Sequence, residues 1–435
     1  MSNEMRALAG AARQSSFHLA ATGNEERNRL LLSIADALEK RKADIFKANG
    51  EDIRAAESEG IAQQLIHRLK FDEKKLHDVT DGLRALAKMD DPIHRVIKRT
   101  ELADGLQMSR VTCPIGVIGV IFESRPDALV QIAGLCLKSG NAVLLKGGIE
   151  AIRTNSVLYD IIRGETVQTG FPAGDWIALL KSREEVAEML KMDDLIDLII
   201  PRGSNAFVRY IMDHTRIPVL GHSSGICHLY LDRSADPEMA ARLAVDAKTQ
   251  YPAACNSAET LLVHAEADAA LLRSCRALLD AGVQLKADEA AREKLGAAGI
   301  QADPLCEEDY STEYGDLVIN VHLVDGVEAA IEHINRYGSH HTDCIVTEDS
   351  AAVRRFFALV DSAGVYHNCS TRFADGYRYG FGAEVGISTG KIHARGPMGL
   401  EGLCSYKYLV EGNGDCVADF SSGRRQFTHI DRMGK

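Results

Sequence analysis

The sequence predicts an α/β protein in which a doubly wound parallel sheet is joined to a second α/β domain and a small β element. Two observations lead to this prediction. From residue 115 onward, short apolar runs alternate with helical stretches, which is typical of strands joined by crossover helices. The runs are apolar throughout, which indicates strands that are covered on both faces. At 435 residues, the chain is long enough for two or three domains.

The first 90 residues are predicted to be helical, because apolar side chains such as Leu30, Ile34 and Leu38 recur there at helical spacing. The next part predicts five parallel strands at residues 115–122, 142–146, 176–181, 195–200 and 217–220. The helices between them are predicted at residues 127–138, 156–167, 184–191 and 206–213. A sheet of this kind binds nucleotides beyond the carboxyl ends of its strands.

A second alternation begins at Ile226 and predicts another α/β domain. Its strands are predicted at residues 259–264, 317–324, 344–347 and 365–367, and its helices at residues 269–281, 327–337 and 350–360. Residues 98–113, with Asp104-Gly105 inside them, predict a hairpin. We expect this hairpin to pair with a strand at 405–411 in a small sheet that serves subunit contact.

These patterns predict three units along the chain. Residues 1–225 form a dinucleotide-binding domain from which the hairpin at 98–113 protrudes. Residues 226–397 form a catalytic thiol domain, and residues 398–435 form a C-terminal segment for oligomerisation.

Composition argues against several classes of function. The net charge of −12 and the pI of about 5.7 argue against broad binding to nucleic acids or anionic membranes, which favours basic surfaces. The longest strongly apolar run, at 115–122, is too short to cross a bilayer, and the first 28 residues lack the apolar core of a signal peptide. The closest cysteines are 12 positions apart, so neither a cysteine zinc site nor a disulfide framework is expected. We therefore expect a cytoplasmic protein.

Cys255 is the candidate nucleophile. It lies in the run Tyr-Pro-Ala-Ala-Cys-Asn-Ser at 251–257, between a predicted helix and a predicted strand. A thiol on a turn of small residues can be approached by a substrate, while nearby backbone N–H groups face the same reacting centre. For an arbitrary cysteine, burial in the core is the more common situation.

Other candidates follow the ends of predicted strands. Lys146 and Gly203-Ser204 lie where a nucleotide should bind, although a solvated lysine and an ordinary helix cap would look the same. Arg125 suits a carboxylate or phosphate, or a structural ion pair. The adjacent His340 and His341 have Asp343 and Glu332 as their nearest carboxylates, but no flanking His or Cys completes a ligand set, so we expect no metal site.

The segment from residue 368 to 397 is rich in small and polar residues and has little regular periodicity. A loop of this length in a compact domain is more often functional than not. Its hydroxyls and cations suit an amino-acid backbone or a phosphate, and the candidates are Ser370, Arg372, Lys391 and Arg395. Cys369 in this loop is a weaker candidate nucleophile than Cys255.

Six motifs together resemble the aldehyde dehydrogenase superfamily, and within it most closely the gamma-glutamyl phosphate reductase family. They are Pro-Ile-Gly-Val-Ile-Gly-Val-Ile-Phe-Glu-Ser-Arg-Pro at 114–126, Leu-Lys-Gly-Gly at 145–148, the Cys255 run, Thr-Glu-Tyr-Gly-Asp at 312–316, Tyr-Gly-Ser-His-His-Thr-Asp at 337–343 and the segment 368–402. The resemblance covers nearly the whole chain. It implies an aldehyde dehydrogenase-like fold.

The resemblance also implies roles for individual residues. Cys255 is the nucleophile of a catalytic group with Asn256 and Ser124. Ser124 stands where ordinary aldehyde dehydrogenases carry an asparagine that holds the oxyanion. The resemblance implies that Lys146, Gly203 and Ser204 contact the cofactor and that Glu313 contacts its nicotinamide ribose. Arg125, Ser370, Arg372, Lys391 and Arg395 remain candidates for binding substrate.

One departure from the superfamily indicates the reaction. Hydrolytic members carry a glutamate general base in the run that corresponds here to residues 220–225, and residues 217–231 contain no Asp or Glu. Water needs such a base to cleave a thioester, whereas phosphate exchange does not. The missing carboxylate therefore favours acyl-phosphate chemistry. The resemblance implies the specific reaction, which is NADPH-dependent reduction of L-glutamate 5-phosphate to L-glutamate 5-semialdehyde, with release of phosphate, in proline biosynthesis. The alternative is a hydrolytic aldehyde dehydrogenase.

NADPH is the expected cofactor, because Ile149 stands where NAD-preferring relatives often carry a ribose-binding Glu. The resemblance implies a homodimer or homotetramer, and the upstream glutamate 5-kinase is a possible partner. Two other classes remain open. One is a cysteine acyl transferase or hydrolase that uses His222 or His393, and the other is a binding protein without activity.

Overall fold

The structure is a computed structural model that describes residues 3–203, 205–221, 224–381 and 384–433. Two of the candidate residues, Ser204 and His222, lie outside the described residues.

Helices make up the amino-terminal part of the chain, before the first strand, and then alternate with strands. The helices of the described residues are α1 (Asn3–Ala21), α2 (Asn24–Lys40), α3 (Lys42–Ser58), α4 (Gln63–Leu69), α5 (Glu73–Lys88), α6 (Pro126–Lys138), α7 (Ile152–Gln168), α8 (Arg183–Met189), α9 (Asn205–Asp213), α10 (Pro237–Thr249), α11 (Asp268–Asp280), α12 (Glu289–Ala297), α13 (Val327–Tyr337), α14 (Ser350–Leu359) and α15 (Val417–Ser421).

The described strands form four sheets. They are β1 (Val96–Ala103), β2 (Leu106–Pro114), β3 (Val117–Phe122), β4 (Ala142–Lys146), β5 (Ile177–Leu180), β6 (Leu198–Arg202), β7 (Cys227–Leu231), β8 (Ala258–His264), β9 (Gln284–Ala287), β10 (Asp303–Pro304), β11 (Val318–Val324), β12 (Thr342–Val346), β13 (Gly364–His367), β14 (Ile387–Ser388), β15 (Gly396–Pro397), β16 (Cys404–Glu411) and β17 (Ile430–Asp431).

The predicted first parallel sheet is confirmed, with the strand order β5-β4-β3-β6. β3 and β4 are buried along their whole length, as their continuous apolar sequence predicts. The fifth predicted strand, at 217–220, is wrong, because Val219 forms only an isolated bridge with Ile199. Pro218 has no N–H to donate, so the ladder cannot extend toward residue 217.

The second α/β domain contains a seven-stranded sheet with the order β10-β9-β11-β8-β7-β12-β13, and every pairing is parallel. The sequence analysis did not identify β9 or β10, which are short and lie at one edge. In this order β7 separates β8 from β12. The amino ends of these three strands therefore lie side by side, and so do the residues that precede them.

The predicted hairpin and C-terminal strand form an antiparallel sheet of the order β16-β2-β1-β17. β16 pairs with β2 from Cys404 opposite Pro114 to Glu411 opposite Gln107. The side chains of β16 beyond Cys404 are exposed. Its use in subunit contact stays a prediction.

Two further observations concern packing across the chain. Four buried apolar residues of the C-terminal region contribute to the core of the first sheet; they are Val385, Met398, Leu400 and Leu403. Among the helices of the described residues, none combines the length and the hydrophobicity that a bilayer crossing requires.

Candidate active site

Cys255 lies on a tight turn between α10 and the amino end of β8. Two hydrogen bonds hold the turn, from Ala254 N to Tyr251 O at 3.1 Å and from Ser257 N to Ala254 O at 2.8 Å. A Cβ atom at Gly225 would lie 2.3 Å from the carbonyl oxygen of Cys255. Glycine is therefore required for the segment before β7 to pass so close to the turn.

His341 contacts the candidate nucleophile directly. It precedes β12, and its Nε2 lies 3.2 Å from Sγ of Cys255. Its Nδ1 lies 2.8 Å from the hydroxyl oxygen of Thr342, and the side chain is almost fully buried. The strand order β8-β7-β12 brings the two residues to one sheet edge. The sequence analysis considered His341 only as a metal ligand and missed this contact, because strand order cannot be read from the two separate motifs.

The thiol lies in an environment that disfavours its charged form. Burial, assisted by the carboxylates of Glu313 and Glu384, raises the pKa of Cys255 to about 12, while the positive charge of Arg372 acts in the opposite direction. The residue nevertheless keeps part of its surface exposed. The thiol can therefore meet a substrate, but it needs help to ionise.

Glu313 forms a hydrogen bond between the domains that contain the two parallel sheets. Its Oε2 accepts a hydrogen bond of 2.8 Å from Nδ2 of Asn205, the first residue of α9. α9 follows the carboxyl end of β6, whereas Glu313 belongs to the second domain. The carboxyl edge of the first sheet therefore faces the amino edge of the second, with Cys255 close to the junction.

Arg202 is a functional candidate that the sequence analysis missed. It ends β6, and its Nη1 is buried without a hydrogen-bond partner among the described residues. Burial and the neighbouring charge of Arg125 lower its pKa, and the charges of Glu384 and Cys255 also reach it. A buried guanidinium with an unused donor beside a second arginine suits an anion.

Four of the five predicted substrate residues fall into two groups, and the fifth, Arg125, pairs with Asp127 at 3.2 Å. Arg372 donates from Nε to Oε1 of Gln250 at 2.9 Å, and its charge reaches Cys255; Ser370 is buried and its hydroxyl accepts from the Arg372 N–H at 3.3 Å. Lys391 and Arg395 instead both pair with Asp361, at 2.8 Å and 2.9 Å. The charge of Arg372 thus reaches the thiol, whereas a carboxylate partly neutralises Lys391 and Arg395.

Ser124 and Asn256 hold other partners in this structure. The backbone N–H of Ser124 donates to Oε1 of Glu150 at 2.8 Å, and its hydroxyl donates to the same oxygen. Nδ2 of Asn256 donates to the carbonyl oxygen of Ala374 at 2.8 Å. Within the described part of the chain, the N–H of Cys255 donates to no carbonyl oxygen, so this N–H is the donor that remains available to an oxyanion.

The residues predicted to hold a cofactor lie at one edge of the first sheet. Lys146 ends β4 and is buried, and burial lowers its pKa. Gly203 follows β6, where a Cβ would lie 3.0 Å from the ring of Phe207 and 3.1 Å from Glu123. A close backbone approach after β6 and a cation at the end of β4, on either side of β3 at the same sheet edge, fit a dinucleotide.

His393, a candidate base, and His340, a candidate metal ligand, both contact carbonyl oxygens and not the Cys255 thiol. His393 is exposed, and its Nε2 lies 3.0 Å from the carbonyl oxygen of Gly402. Nδ1 of His340 lies 2.6 Å from the carbonyl oxygen of Asp361. In the residues that the structure describes, no group of three His, Cys, Asp or Glu side chains is placed to hold a metal ion.

Comparisons with known proteins agree with this geometry. The model of the aldehyde dehydrogenase family matches residues 2–298. The gamma-glutamyl phosphate reductase of Ruminiclostridium cellulolyticum is 54% identical over 433 residues, 99% of each chain. The crystal structure of gamma-glutamyl phosphate reductase from Thermotoga maritima superposes with a TM-score of 0.92 at 36% identity and covers 95% of this chain and 100% of that one.

The fold also occurs in an engineered glycolyl-CoA reductase with bound NADP+. That structure has a TM-score of 0.64 at 16% identity and covers 93% of this chain and 96% of its own. This likeness concerns the fold alone.

Proposed function

This chain belongs to the aldehyde dehydrogenase family, and from that premise we propose that it is an acyl-phosphate reductase acting on L-glutamate 5-phosphate. Its product is L-glutamate 5-semialdehyde, and the step belongs to proline biosynthesis. The observation that carries the proposal is the position of Cys255, a partly exposed residue close to the junction of the two parallel sheets, with its thiol in contact with His341. The names of the relatives at 54% and 36% identity support the same substrate.

The chain's own residues support covalent chemistry. The thiolate of Cys255 attacks the acyl carbon, a sulfur–carbon bond forms, and the carbon–oxygen bond to phosphate breaks. The N–H of Cys255 is available to hold the oxyanion. A nicotinamide cofactor, when bound, supplies the hydride that reduces the resulting thioester. The sulfur then leaves as the aldehyde is released.

Arginines close to the thiol suit the anionic groups of the substrate. Arg202 has an unused buried donor and feels the charge of Arg125, and Arg372 acts on Cys255 from another side. We assign the phosphate and carboxylate of the substrate to Arg202 and Arg372, with Arg125, which already pairs with Asp127 at 3.2 Å, adding positive charge nearby. Lys391 and Arg395, which share Asp361, stabilise the loop rather than bind the substrate.

NADPH is the form of the cofactor that we propose. Lys146 and the neighbouring Arg183, whose charge lowers the pKa of Lys146 after burial, provide positive charge for a 2′-phosphate. Ile149 is 73% exposed and offers no carboxylate to ribose hydroxyls. The adjacent Glu150 accepts hydrogen bonds from Ser124. These features favour the phosphorylated cofactor.

The hydrolytic alternative is not favoured. The relatives are named gamma-glutamyl phosphate reductases, and residues 217–231 contain no carboxylate. Of the carboxylates whose charges reach Cys255, Glu313 binds Asn205 and Glu384 accepts from the Gly376 N–H at 2.8 Å.

The experiment runs the reaction in the direction of aldehyde oxidation. We expect NADP+ reduction by glutamate 5-semialdehyde to require phosphate, and kcat/KM to be higher with NADP+ than with NAD+. Oxidation at the same rate without phosphate would instead support a hydrolytic enzyme. A preference for NAD+ would overturn the cofactor assignment and leave the substrate assignment standing.

The cellular setting forms part of the proposal. A cytoplasmic location suits a biosynthetic reductase with ten free cysteines among its described residues. The sheet that contains β16 offers an exposed strand for pairing subunits in a homodimer or homotetramer. Contact with glutamate 5-kinase would shorten the path of a labile acyl phosphate.

A further inference from the structure

Resting on the proposed function, we propose that His341 is the catalytic residue that takes the proton from the Cys255 thiol and passes it to the departing phosphate. The geometry is direct, because Nε2 lies 3.2 Å from Sγ. Among the described residues, His341 is the only titratable side chain within hydrogen-bond distance of that sulfur.

The site needs such a group. With a pKa raised to about 12 by burial and by Glu313 and Glu384, an unaided thiol would be ionised in only about one molecule in 10⁵ at pH 7. A proton acceptor in contact with sulfur replaces an isolated thiolate by a thiolate–imidazolium pair.

Thr342 makes the exchange possible. Its hydroxyl oxygen can accept the Nδ1–H of His341 at 2.8 Å, and in that tautomer Nε2 carries the lone pair that faces the S–H group. Because β12 begins at Thr342, the strand fixes the backbone that carries the hydroxyl, and the contact with that hydroxyl orients the ring. The imidazole therefore has a defined orientation before substrate arrives.

The step balances in protons and electrons. The S–H bond of Cys255 breaks and an N–H bond forms at Nε2. The sulfur electron pair forms the bond to the acyl carbon, and the carbon–oxygen bond to phosphate breaks with its electron pair on oxygen. The imidazolium returns its proton to that oxygen, so neutral imidazole, thioester and hydrogen phosphate remain. No oxidant or reductant is needed.

Other charged groups face the same pair and shape its pH dependence. Glu313, Glu384 and Arg372 act on Cys255, and Arg202 and Cys227 also feel its charge. Cys227 donates from Sγ to the carbonyl oxygen of Cys255 at 3.4 Å, and not to its thiol. These charges change the midpoint of ionisation, while the proton acceptor in contact with sulfur remains His341.

The test compares alkylation of Cys255 by iodoacetamide from pH 5 to pH 10, read by mass spectrometry of the peptide that contains Cys255. In the native protein we expect a plateau that is reached near neutral pH. In His341→Gln we expect the alkylation rate of Cys255 at pH 7 to fall at least about tenfold and to rise continuously with pH. We also expect kcat to fall about 100-fold with little change in KM. His340→Asn is the matched control and keeps the native profile, because Asn tolerates its φ of 60°.

Two outcomes would overturn the proposal. One is a His341→Gln protein that keeps native alkylation and kcat at pH 7. The other needs no variant and is therefore independent of folding: native Cys255 whose alkylation rate still climbs tenfold per pH unit up to pH 10. If the native protein shows the neutral plateau but no turnover of glutamyl phosphate, the proposed substrate fails, and the His341→Gln alkylation profile alone decides whether His341 takes the proton from the thiol.

Discussion

The turn that carries Cys255 and the turn that carries Cys369 place two thiols in opposite electrostatic settings. Burial and nearby carboxylates raise the pKa of Cys255 to about 12. The neighbouring Cys344 thiol instead lowers the pKa of Cys369. If acidity alone selected the nucleophile, it would be Cys369. Cys255, however, is the thiol that meets an imidazole at the junction of two sheets.

The difference follows from the position of each turn relative to its strand. Cys255 precedes β8, at the edge where His341 and Gly225 precede the neighbouring strands. Cys369 follows β13, and Asn368, with a φ of 53°, turns the chain so that the thiol meets Cys344. The environment of Cys255 supplies a proton acceptor and access for a substrate, whereas the environment of Cys369 supplies only a hydrogen-bond donor. The comparison teaches that a nucleophile is defined by its partners more than by its resting acidity.

Removing each sulfur in turn tests the comparison with the largest expected effect. Cys255→Ala should lower phosphate-dependent activity by at least about 10⁴-fold, because the covalent step is lost. Cys369→Ala should stay within about twofold of the native rate, because that sulfur forms no bond with substrate. NADPH oxidation and melting curves of both variants measure this. A Cys369→Ala protein that is folded and inactive would reverse the assignment.

The two turns also differ in how they are anchored. Lys248 pairs with Glu259 at 2.7 Å beneath the Cys255 turn, and both side chains are fully buried. Lys248→Met should cost about 3–5 kcal/mol of unfolding free energy, because it leaves a buried carboxylate without its partner. Asn368 holds the other turn through its amide, which bonds Thr347 N at 3.0 Å and Thr347 O at 3.1 Å.

Asn368→Gly is the matched variant, since glycine keeps the positive φ. It should cost about 1–2 kcal/mol, as two neutral hydrogen bonds are lost. Urea unfolding of both variants gives the two values. Equal costs would show that the ion pair contributes no more than the amide.

A third test concerns the cations of the loop that follows the Cys369 turn. Arg372→Gln should raise KM for the acyl phosphate about 10–100-fold, because its charge reaches the reacting thiol. Arg395→Gln should change KM less than about threefold, since Asp361 already pairs with that arginine. Initial rates at varied substrate concentration decide between them. A larger effect at Arg395 would instead place the anion site at Arg395 and Lys391, the two cations that share Asp361.

Apolar runs and helical periodicity predicted several strands and helices well. β4 (Ala142–Lys146) and α13 (Val327–Tyr337) were predicted to the residue, because each is bounded by polar or glycine residues. The prediction failed at 217–220, where Pro218 limits pairing, and at the short edge strands β9 and β10. The family resemblance was confirmed by the relatives.

The candidate site was only partly predictable. Cys255 and Glu313 lie in motifs that can be read directly, and the roles assigned to them stay predictions. Arg202, Gly225 and His341 needed the structure. Each is an ordinary residue at or next to a strand end, and each becomes a functional candidate only through contact with a residue distant in the sequence.

The sequence by itself determined the alternation of strands and helices, the family and the thiol on its turn, because periodicity and short motifs are local properties. The tertiary structure alone decided which strand ends meet. It placed β7 between β8 and β12, and so set an imidazole 3.2 Å from the sulfur. Hydrogen bonds between strands fix that order, and strand order depends on contacts that no local pattern encodes.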